Sequence, residues 1–535
     1  MQSFALTVDK FLDHAAKWSG TREIAAADIG RSVNRSDYAR LRVRANRMSG
    51  ALEALGLKAG DRIGTLAWNT LHHLELYYAA MGRGFVCHTL NPRFTAAHLA
   101  AIINEAEDRI LAVSSDLAPL LCEILALCPG VVHVILMDET APDTDALPLP
   151  AGRVHVYESL LETLGAPVSW GEFDESTPAG LCYTSGTTGK PKGVLYTHRS
   201  NYLHTLRALQ ADAIGLTARD SILVAVPLFH ANGWGLPFAA PAAGAKLVLP
   251  GRHADGANLA RLMREERVTI AVGVQTVWLG VVEHLDATGG DLPDLKRILI
   301  GGSRCPDALL HRMEDRLGAE VQTSWGMTEL SPVGTIAPPG AGHAGDGASG
   351  RPPMGLDLKL TDAAGAALPE QRGVTGHLKV KGPSVVDRYY KAGEDALDPE
   401  GYFDTGDLAS IDETGNLTIR GRSKDLIKSG GEWINPAEIE DIIGRDPSVG
   451  LVAVIARPDP KWGERPVVVV EPAGSTGVDA RRLLDSLRGQ VADWWIPDQL
   501  VSIESMPLAA TGKIDKGRLR SDFENERLSV AKSGG

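Results

Sequence analysis

Cysteine is scarce in this chain, and its spacing is uninformative. Cys87, Cys122, Cys128, Cys182 and Cys305 are odd in number and form no C-x-x-C pair. That pattern argues against a disulfide framework or a thiolate zinc site and leads us to expect a reducing, cytoplasmic setting. Basic residues are also in deficit, and the formal net charge of −13 lacks the footprint of a nucleic-acid-binding protein. The opening stretch, "MQSFALTVDKFLDHAAK", has no apolar core of signal-peptide type. Long lipid-compatible runs are missing too. Ile222 to Ala245 carries no formal charge, but Pro227, Pro237, Pro241, His230 and Asn232 interrupt it. Such breaks fit a buried, irregular pocket wall better than a membrane helix.

What is present is a chain of 535 residues, enough for about two to four domains or subdomains. From about Asp61 short apolar runs alternate with amphipathic stretches. "RIGTLAW", "FVCHTL" and "RILAVS" read as strands, with helices between them at "TLHHLELYYAAMG" and "TAAHLAAIINEAE". The pattern resumes with strands at "GLCYTS", "SILVAVP", "AKLVLP", "VTIAVG" and "RILIGG", separated by helical segments such as 255–266 and 306–317. Alternation of this kind predicts two doubly wound α/β subdomains, roughly 60–180 and 180–330. After a Gly/Pro-rich loop, "HLKVKG", "DLASID" and "NLTIRG" predict a small β-rich subdomain. A final α+β domain is expected to follow, with a helix over 436–443 and strands at "LVAVIA" and "PVVVVEP". The expected division is 1–421 and 422–535.

The most informative stretch is "YTSGTTGKPKGVLYTH", Tyr183 to His198. A Walker A loop needs G-x-x-x-x-G-K-[ST]. Counting from Gly186, its second glycine falls on Pro191, and Lys190 is followed by proline instead of a hydroxyl. The Walker register fails, yet the composition is that of a phosphate cradle: glycines let backbone N–H groups converge, and lysines add charge. A flexible glycine-rich hairpin is the plainer alternative. After "GVLYTH", Ser200–Asn201 are expected to cap a helix carrying Leu203, Leu206 and Leu209 on one face.

Three further blocks decide between these: "SWGMTE" (324–329), "DTGD" (404–407) leading to "GRSKDLIKSGGEWINPAEIE" (421–440), and "PLAATGKIDK" (507–516). In this order and spacing, with "YTSGTTGKPKG", the chain resembles the adenylate-forming superfamily of acyl-CoA synthetases, luciferases and peptide-synthetase adenylation domains. The resemblance covers nearly the whole chain. It implies a large adenylation domain and a small mobile C-terminal domain, with ATP and coenzyme A as co-substrates and Mg²⁺ as cofactor. A carboxylate would attack the α-phosphate of ATP, giving acyl-AMP and pyrophosphate, and a thiol would then displace AMP. No general base is needed for the first step, since the acid is already ionised. The demand is electrostatic.

The same resemblance implies site residues. Thr184 and Glu329 would be the metal-side oxygens. Ser185, Gly186, Thr187, Thr188, Gly189, Lys190 and Lys192 would cradle phosphates, and Thr328 would meet the α-phosphate. Ser324, Trp325, Gly326 and Met327 would flank the nucleotide, with Trp325 standing where relatives commonly carry tyrosine. Asp407 would accept the ribose hydroxyls, with Ile419 and Arg422 beside it. Gly301, Gly302 and Ser303 would bring backbone close to the nucleotide and the acyl carbon. Lys513 would stabilise charge in adenylation. Lys424 matches the hinge, and Lys428, Ser429, Gly430 and Trp433 would face coenzyme A.

"PLFHANGWGLPFA" (227–239) narrows the likeness to fatty-acyl-CoA and methylmercaptopropionate-CoA ligases. His230 would lie beside the carboxylate and Trp234 would gate or floor the acyl pocket, with Gly235 and Gln275 lining it; a satisfied core histidine and a packed core tryptophan are the plain alternative. Gln275 replaces a common proline, and His377 a common glutamate. The expected function is an acyl-CoA ligase for a short- to medium-chain aliphatic or methylthio-substituted acid. An aryl-acid ligase is the rival, and a long-chain fatty-acyl-CoA synthetase ranks behind it. A peptide-synthetase domain is disfavoured because 226–235 holds no acid to pair a substrate ammonium and no carrier domain follows Lys513. A luciferase-like oxygenase and a non-catalytic NTP switch have weaker claims. Monomer and homodimer both stay open.

Overall fold

The structure is a computed structural model. It describes all residues except 3, 138–151, 185–190, 303–304, 306, 343–346, 431, 475–476, 510–513 and 526–535. Ser185, Gly186, Thr187, Thr188, Gly189, Lys190, Ser303 and Lys513 therefore lie outside the described residues.

Two large sheets carry the first two-thirds of the chain. The first has seven strands, in the order Val154–Val156, His133–Leu136, Ile110–Val113, Arg62–Leu66, Val86–Leu90, Pro178–Thr184 and Lys192–Thr197. Its strands run parallel except the last, which returns antiparallel and pairs Lys192 with Thr184. The second has eight strands: Val333–Ile336, Glu320–Gly326, Arg297–Gly301, Ile270–Val274, Ser221–Val224, Lys246–Leu249, Glu23–Ala27 and Val33–Asp37. Buried apolar side chains fill both faces, as a parallel sheet between helices requires.

The expected α/β alternation is thus present, with two corrections to its boundaries. "GLCYTS" does not open the second block. It completes the first sheet, pairing Gly180 with Cys87 and Cys182 with Thr89. The second sheet instead takes a strand from near the N-terminus, Glu23–Ala27, beside Leu247–Leu249. That strand is alanine-rich and has little β preference of its own, so partner pairing and burial hold it in place.

A four-stranded antiparallel sheet follows, ordered Asp357–Thr361, Thr375–Lys381, Phe403–Ile411 and Leu417–Arg422. Beyond it, Glu432–Ile434, Ile427–Ser429, Gly463–Pro472 and Val449–Asp459 form a further sheet, with Gln499–Ser502 alongside Gly463–Pro472. The continuous run Val467–Val470 is explained by two separate cores. Val468 and Val470 face one, Val467 and Val469 the other, so both faces of the strand are covered.

Helix His198–Ala208 departs from expectation. Thr197 caps it, in a reciprocal capping box with Ser200. Leu206 is exposed, and the buried face is polar: His198, Asn201, His204, Thr205 and Arg207. Each of three serves as a strut. Arg207 donates to Ser384 Oγ and the Val333 carbonyl, both at 2.8 Å. The Val333 N–H donates to His204 Nε2, and the Val8 N–H to His198 Nδ1. A ring nitrogen that accepts from an amide must be unprotonated.

Burial accordingly lowers the pKa of His198 from 6.5 to about 3, of His73 to about 4, and of His204 well below its ordinary value. In the unfolded chain these groups take up protons as pH falls through 6.5; in the folded protein they do not. Stability is therefore fully present above that pH and declines below it, by about 1.4 kcal/mol per pH unit for each histidine. We expect the unfolding midpoint to fall steadily between pH 6.5 and 4.5, before most carboxylates titrate. A flat profile over that window would contradict these assignments.

Candidate active site

Three segments that are far apart in sequence meet around strand Pro178–Thr184. The first is the return strand Lys192–Thr197, whose buried Tyr196 donates its hydroxyl to the Thr328 carbonyl at 2.8 Å. The second is Glu320–Gly326 and the single turn Thr328–Leu330 after it. Cys182, Val194, Tyr196, Trp325 and Leu330 share one core cluster, so the phosphate-loop strands and the "SWGMTE" segment are packed as one body.

Glu329 is buried at 7% exposure. Its Oε1 accepts from the Tyr389 hydroxyl at 2.9 Å, and the neighbouring carboxylate pushes the phenol's pKa up, behind burial as the main cause. Lys192 stands over the same ring, 4.8 Å from its centre. Tyr389 thus links the carboxylate to the lysine of the loop. Thr184, half-buried, is the register partner of Lys192. Among the described residues no group of three or more His, Cys, Asp or Glu is arranged to hold a metal. Thr184 and Glu329 do offer hard oxygens, and Mg²⁺ typically takes one or two protein oxygens and fills its shell with phosphate and water.

The third is the strand pair Phe403–Ile411 and Leu417–Arg422, which holds Asp407, 3% exposed. Trp325 Nε1 donates to its Oδ2 at 2.9 Å, and Arg422 Nε pairs with its Oδ1 at 2.9 Å. Arg422 also donates to the Thr405 carbonyl. The carboxylate is therefore clamped from two sides. The indole at 325 meets Asp407 through its N–H, while its ring packs against Gly334. Ile419, half-buried, lies in the adjoining strand opposite Ala409.

On the acid side, His230 is half-buried and Trp234 is 8% exposed. Residues 231–235 form a left-handed turn, with φ of 44, 53, 57, 57 and 74° at Ala231, Asn232, Gly233, Trp234 and Gly235. Each non-glycine residue in that conformation costs about 1–2 kcal/mol. The Ala231 N–H donates to Cys182 Sγ at 3.4 Å, which seats the turn on the phosphate-loop strand. Gly301 is where the 231–235 turn and strand Glu320–Gly326 approach each other. A Cβ there would lie 2.7 Å from Ser324 Oγ and 2.9 Å from the Trp234 ring, so only glycine fits. Val274, the register partner of Gly301, leads directly into Gln275, the first residue of a helix. Gly302, Gly326 and Met327 sit half-buried along the same edge, and Gly235 is buried.

In the C-terminal unit, Lys428, Gly430 and Trp433 are exposed and Ser429 is buried. Lys428 lies over the Trp433 ring at 5.4 Å. The structure adds Trp462, 45% exposed, packed beneath Gly430 and covered by Lys461 at 4.5 Å. Lys424 is exposed in the connecting turn. His377 finds a role here: its Nδ1 meets Ser423 Oγ at 3.1 Å. Asn435 donates to the Arg420 carbonyl at 2.6 Å, and Arg520 pairs with Asp425 at 2.7 Å. The linker is therefore gripped from both sides. Sequence reasoning missed Tyr389, Tyr196, Cys182 and Trp462, and no spacing signal singles them out.

The sequence model of the AMP-binding enzyme family matches residues 11–390, and that of the AMP-binding enzyme C-terminal domain matches 438–513. The chain is 41% identical to the 3-methylmercaptopropionyl-CoA ligase of Ruegeria lacuscaerulensis, over 98% of each chain. It is 39% identical to the medium-chain-fatty-acid–CoA ligase of Ectopseudomonas oleovorans, over 99% of this chain and 98% of that one. Among solved structures, ATP-bound MatB from Rhodopseudomonas palustris superposes with a TM-score of 0.84 at 26% identity, over 97% and 99% of the two chains.

Proposed function

The chain belongs to the AMP-binding enzyme family, and from that premise we propose that it is an AMP-forming acyl-CoA ligase for a short- to medium-chain aliphatic or methylthio-substituted carboxylic acid. The class is that of relatives spanning nearly the whole chain. The observation that supports the nucleotide half is the clamp on Asp407. A buried carboxylate fixed by an indole N–H and a guanidinium is an acceptor of the kind that suits a ribose diol.

The acid would enter beside His230 and run toward Trp234, whose ring closes on Gly301. Its carboxylate would meet the α-phosphate where Gly301 and Ser324 approach each other. Thr328, Lys192 and the loop 185–190 would hold the phosphate oxygens. Thr184 and Glu329 would hold Mg²⁺, which neutralises phosphate charge when bound. The C-terminal unit would then turn about Lys424, withdrawing Lys513 and presenting Lys428–Trp433 to coenzyme A. We assign Trp462 and Lys461 to the same face, since an exposed indole with a cation over it suits a stacked base beside phosphate. We place the domain division at 421/422, next to the turn gripped by His377 and Asn435. Among the described residues no helix is long and apolar enough to cross a membrane.

The test is AMP release across an acid panel. It should run from propionate to palmitate and include 3-(methylthio)propionate, benzoate and cinnamate, with and without coenzyme A. We expect AMP and pyrophosphate only with a fitting acid, thioester only with coenzyme A, and highest kcat/KM among short- to medium-chain or thioether acids. Acid-independent cleavage of ATP to ADP would overturn the ligase reading. A preference for benzoate or cinnamate would overturn the substrate class alone.

A further inference from the structure

The pocket segment 226–237 hangs from the second sheet, yet its backbone is held by the first sheet's residues. Asn69 directly precedes Thr70, the cap of helix Leu71–Gly82. Its side-chain nitrogen donates to the carbonyls of Val224, at 2.9 Å, and Val226, at 2.8 Å. Its side-chain oxygen accepts the Leu228 N–H at 2.8 Å. Two carbonyls on one end and an amide on the other leave only one orientation for this side chain. It is 4% exposed and fully engaged. Tyr77, on the same helix and wholly buried, donates its hydroxyl to the Leu228 carbonyl.

Both polar backbone groups of Leu228 are therefore bonded to side chains from the connection and helix that follow the first sheet's strand Arg62–Leu66. Two residues later stands His230, and directly after it the left-handed turn 231–235 begins. Neighbouring contacts repeat the arrangement. Trp68 meets Phe229 edge-on at 6.3 Å, and Tyr78 donates to the Pro237 carbonyl at 2.8 Å. A turn of residues at positive φ is unfavourable by itself, so its position must be imposed from outside. The Cys182 thiol receives one end of it, and the Leu228 clamp fixes the approach.

We propose that Asn69 and Tyr77 are positioning residues for the acid pocket, setting where His230 and Trp234 stand by holding the Leu228 backbone. The inference rests on the acid-pocket reading above but concerns residues outside that pocket. The hydrogen bonds of both side chains run to the Val224, Val226 and Leu228 backbone, whereas Asp407 is held by Trp325 and Arg422. Loss of the clamp should therefore weaken acid use and leave ATP use largely intact, a split that a general loss of stability would not produce.

The experiment measures KM for the best acid, KM for ATP, and the thermal midpoint in wild type, Asn69→Ala and Tyr77→Phe. Tyr77→Phe keeps the buried ring and removes only the hydroxyl, so it reports even if Asn69→Ala fails to fold. We expect the acid KM to rise by about tenfold or more in Asn69→Ala and severalfold in Tyr77→Phe, with ATP KM within about twofold. Because both side chains act through Leu228, their combined effect should fall short of the product of the two. Equal changes in both KM values, or a lowered midpoint with unchanged acid KM, would overturn the proposal and leave the ligase reading standing. A wild type whose AMP release ignores the acid would overturn both.

Discussion

Lys513→Ala is expected to lower acid-dependent pyrophosphate release by about 10²–10³, the loss typical of deleting one donor that stabilises transition-state charge. Thioester formation from supplied acyl-adenylate should fall by less than about tenfold if, as proposed, the charge that Lys513 would stabilise belongs to the first step. The described residues around it show how its loop would be carried. Leu508 bridges Ile514 in an antiparallel pair, and the Asp515 N–H donates to the Pro507 carbonyl at 2.8 Å, closing the loop at its base. Lys516 pairs with Glu440 at 2.6 Å, and helix Lys516–Glu524 reaches the linker through Arg520 and Asp425. The residues flanking 510–513 are tied to their own unit, which would carry Lys513 with it. Rotation about Lys424 would have to release Asn435 from Arg420, the contact that spans that residue. Lys513→Arg keeps the charge and should retain more adenylation than alanine. Equal losses in both half-reactions would contradict the rotation.

The motif blocks were legible because each is short and local. "YTSGTTGKPKG" spans one strand–loop–strand unit, and its broken Walker register excluded the commoner phosphate loop before any fold was known. The strands Arg62–Leu66, Val86–Leu90 and Ile110–Val113 were legible because parallel strands buried on both faces read as apolar runs. The strand Glu23–Ala27 was not, since "EIAAA" carries no β signal and its pairing partner lies at 247–249. Helix His198–Ala208 misled for a related reason: its buried face is polar, and hydrogen bonds to distant backbone replace apolar periodicity. The site shows the same division. Asp407 was readable from "DTGD", but its contact with Trp325 joins residues remote in sequence. Trp325 stands where tyrosine is common, and its indole N–H supplies the donor to Asp407. Asn69 and Tyr77 were invisible as functional residues, because a clamp on Leu228 exists only once two sheets face each other.

Glu329→Gln is the second change from which we expect a large effect. Glutamine keeps the volume and the oxygen that accepts from Tyr389, and it leaves the Glu329 carbonyl free to receive the Val386 N–H as before. Only the charge is lost. If that charge helps hold Mg²⁺, adenylation should fall on the order of 10²–10³, and the free Mg²⁺ needed for half-maximal rate should rise about tenfold or more. Thioester formation from supplied acyl-adenylate, which handles no pyrophosphate, should change far less. The comparison variant is Tyr389→Phe. It removes one hydrogen bond to the carboxylate and leaves the ring beneath Lys192 in place, so its effect should be about tenfold or smaller. A carboxylate that served only to anchor Tyr389 would reverse that order. Glu329→Gln would then be nearly silent, Tyr389→Phe would cost more, and the Mg²⁺ requirement would not move in either.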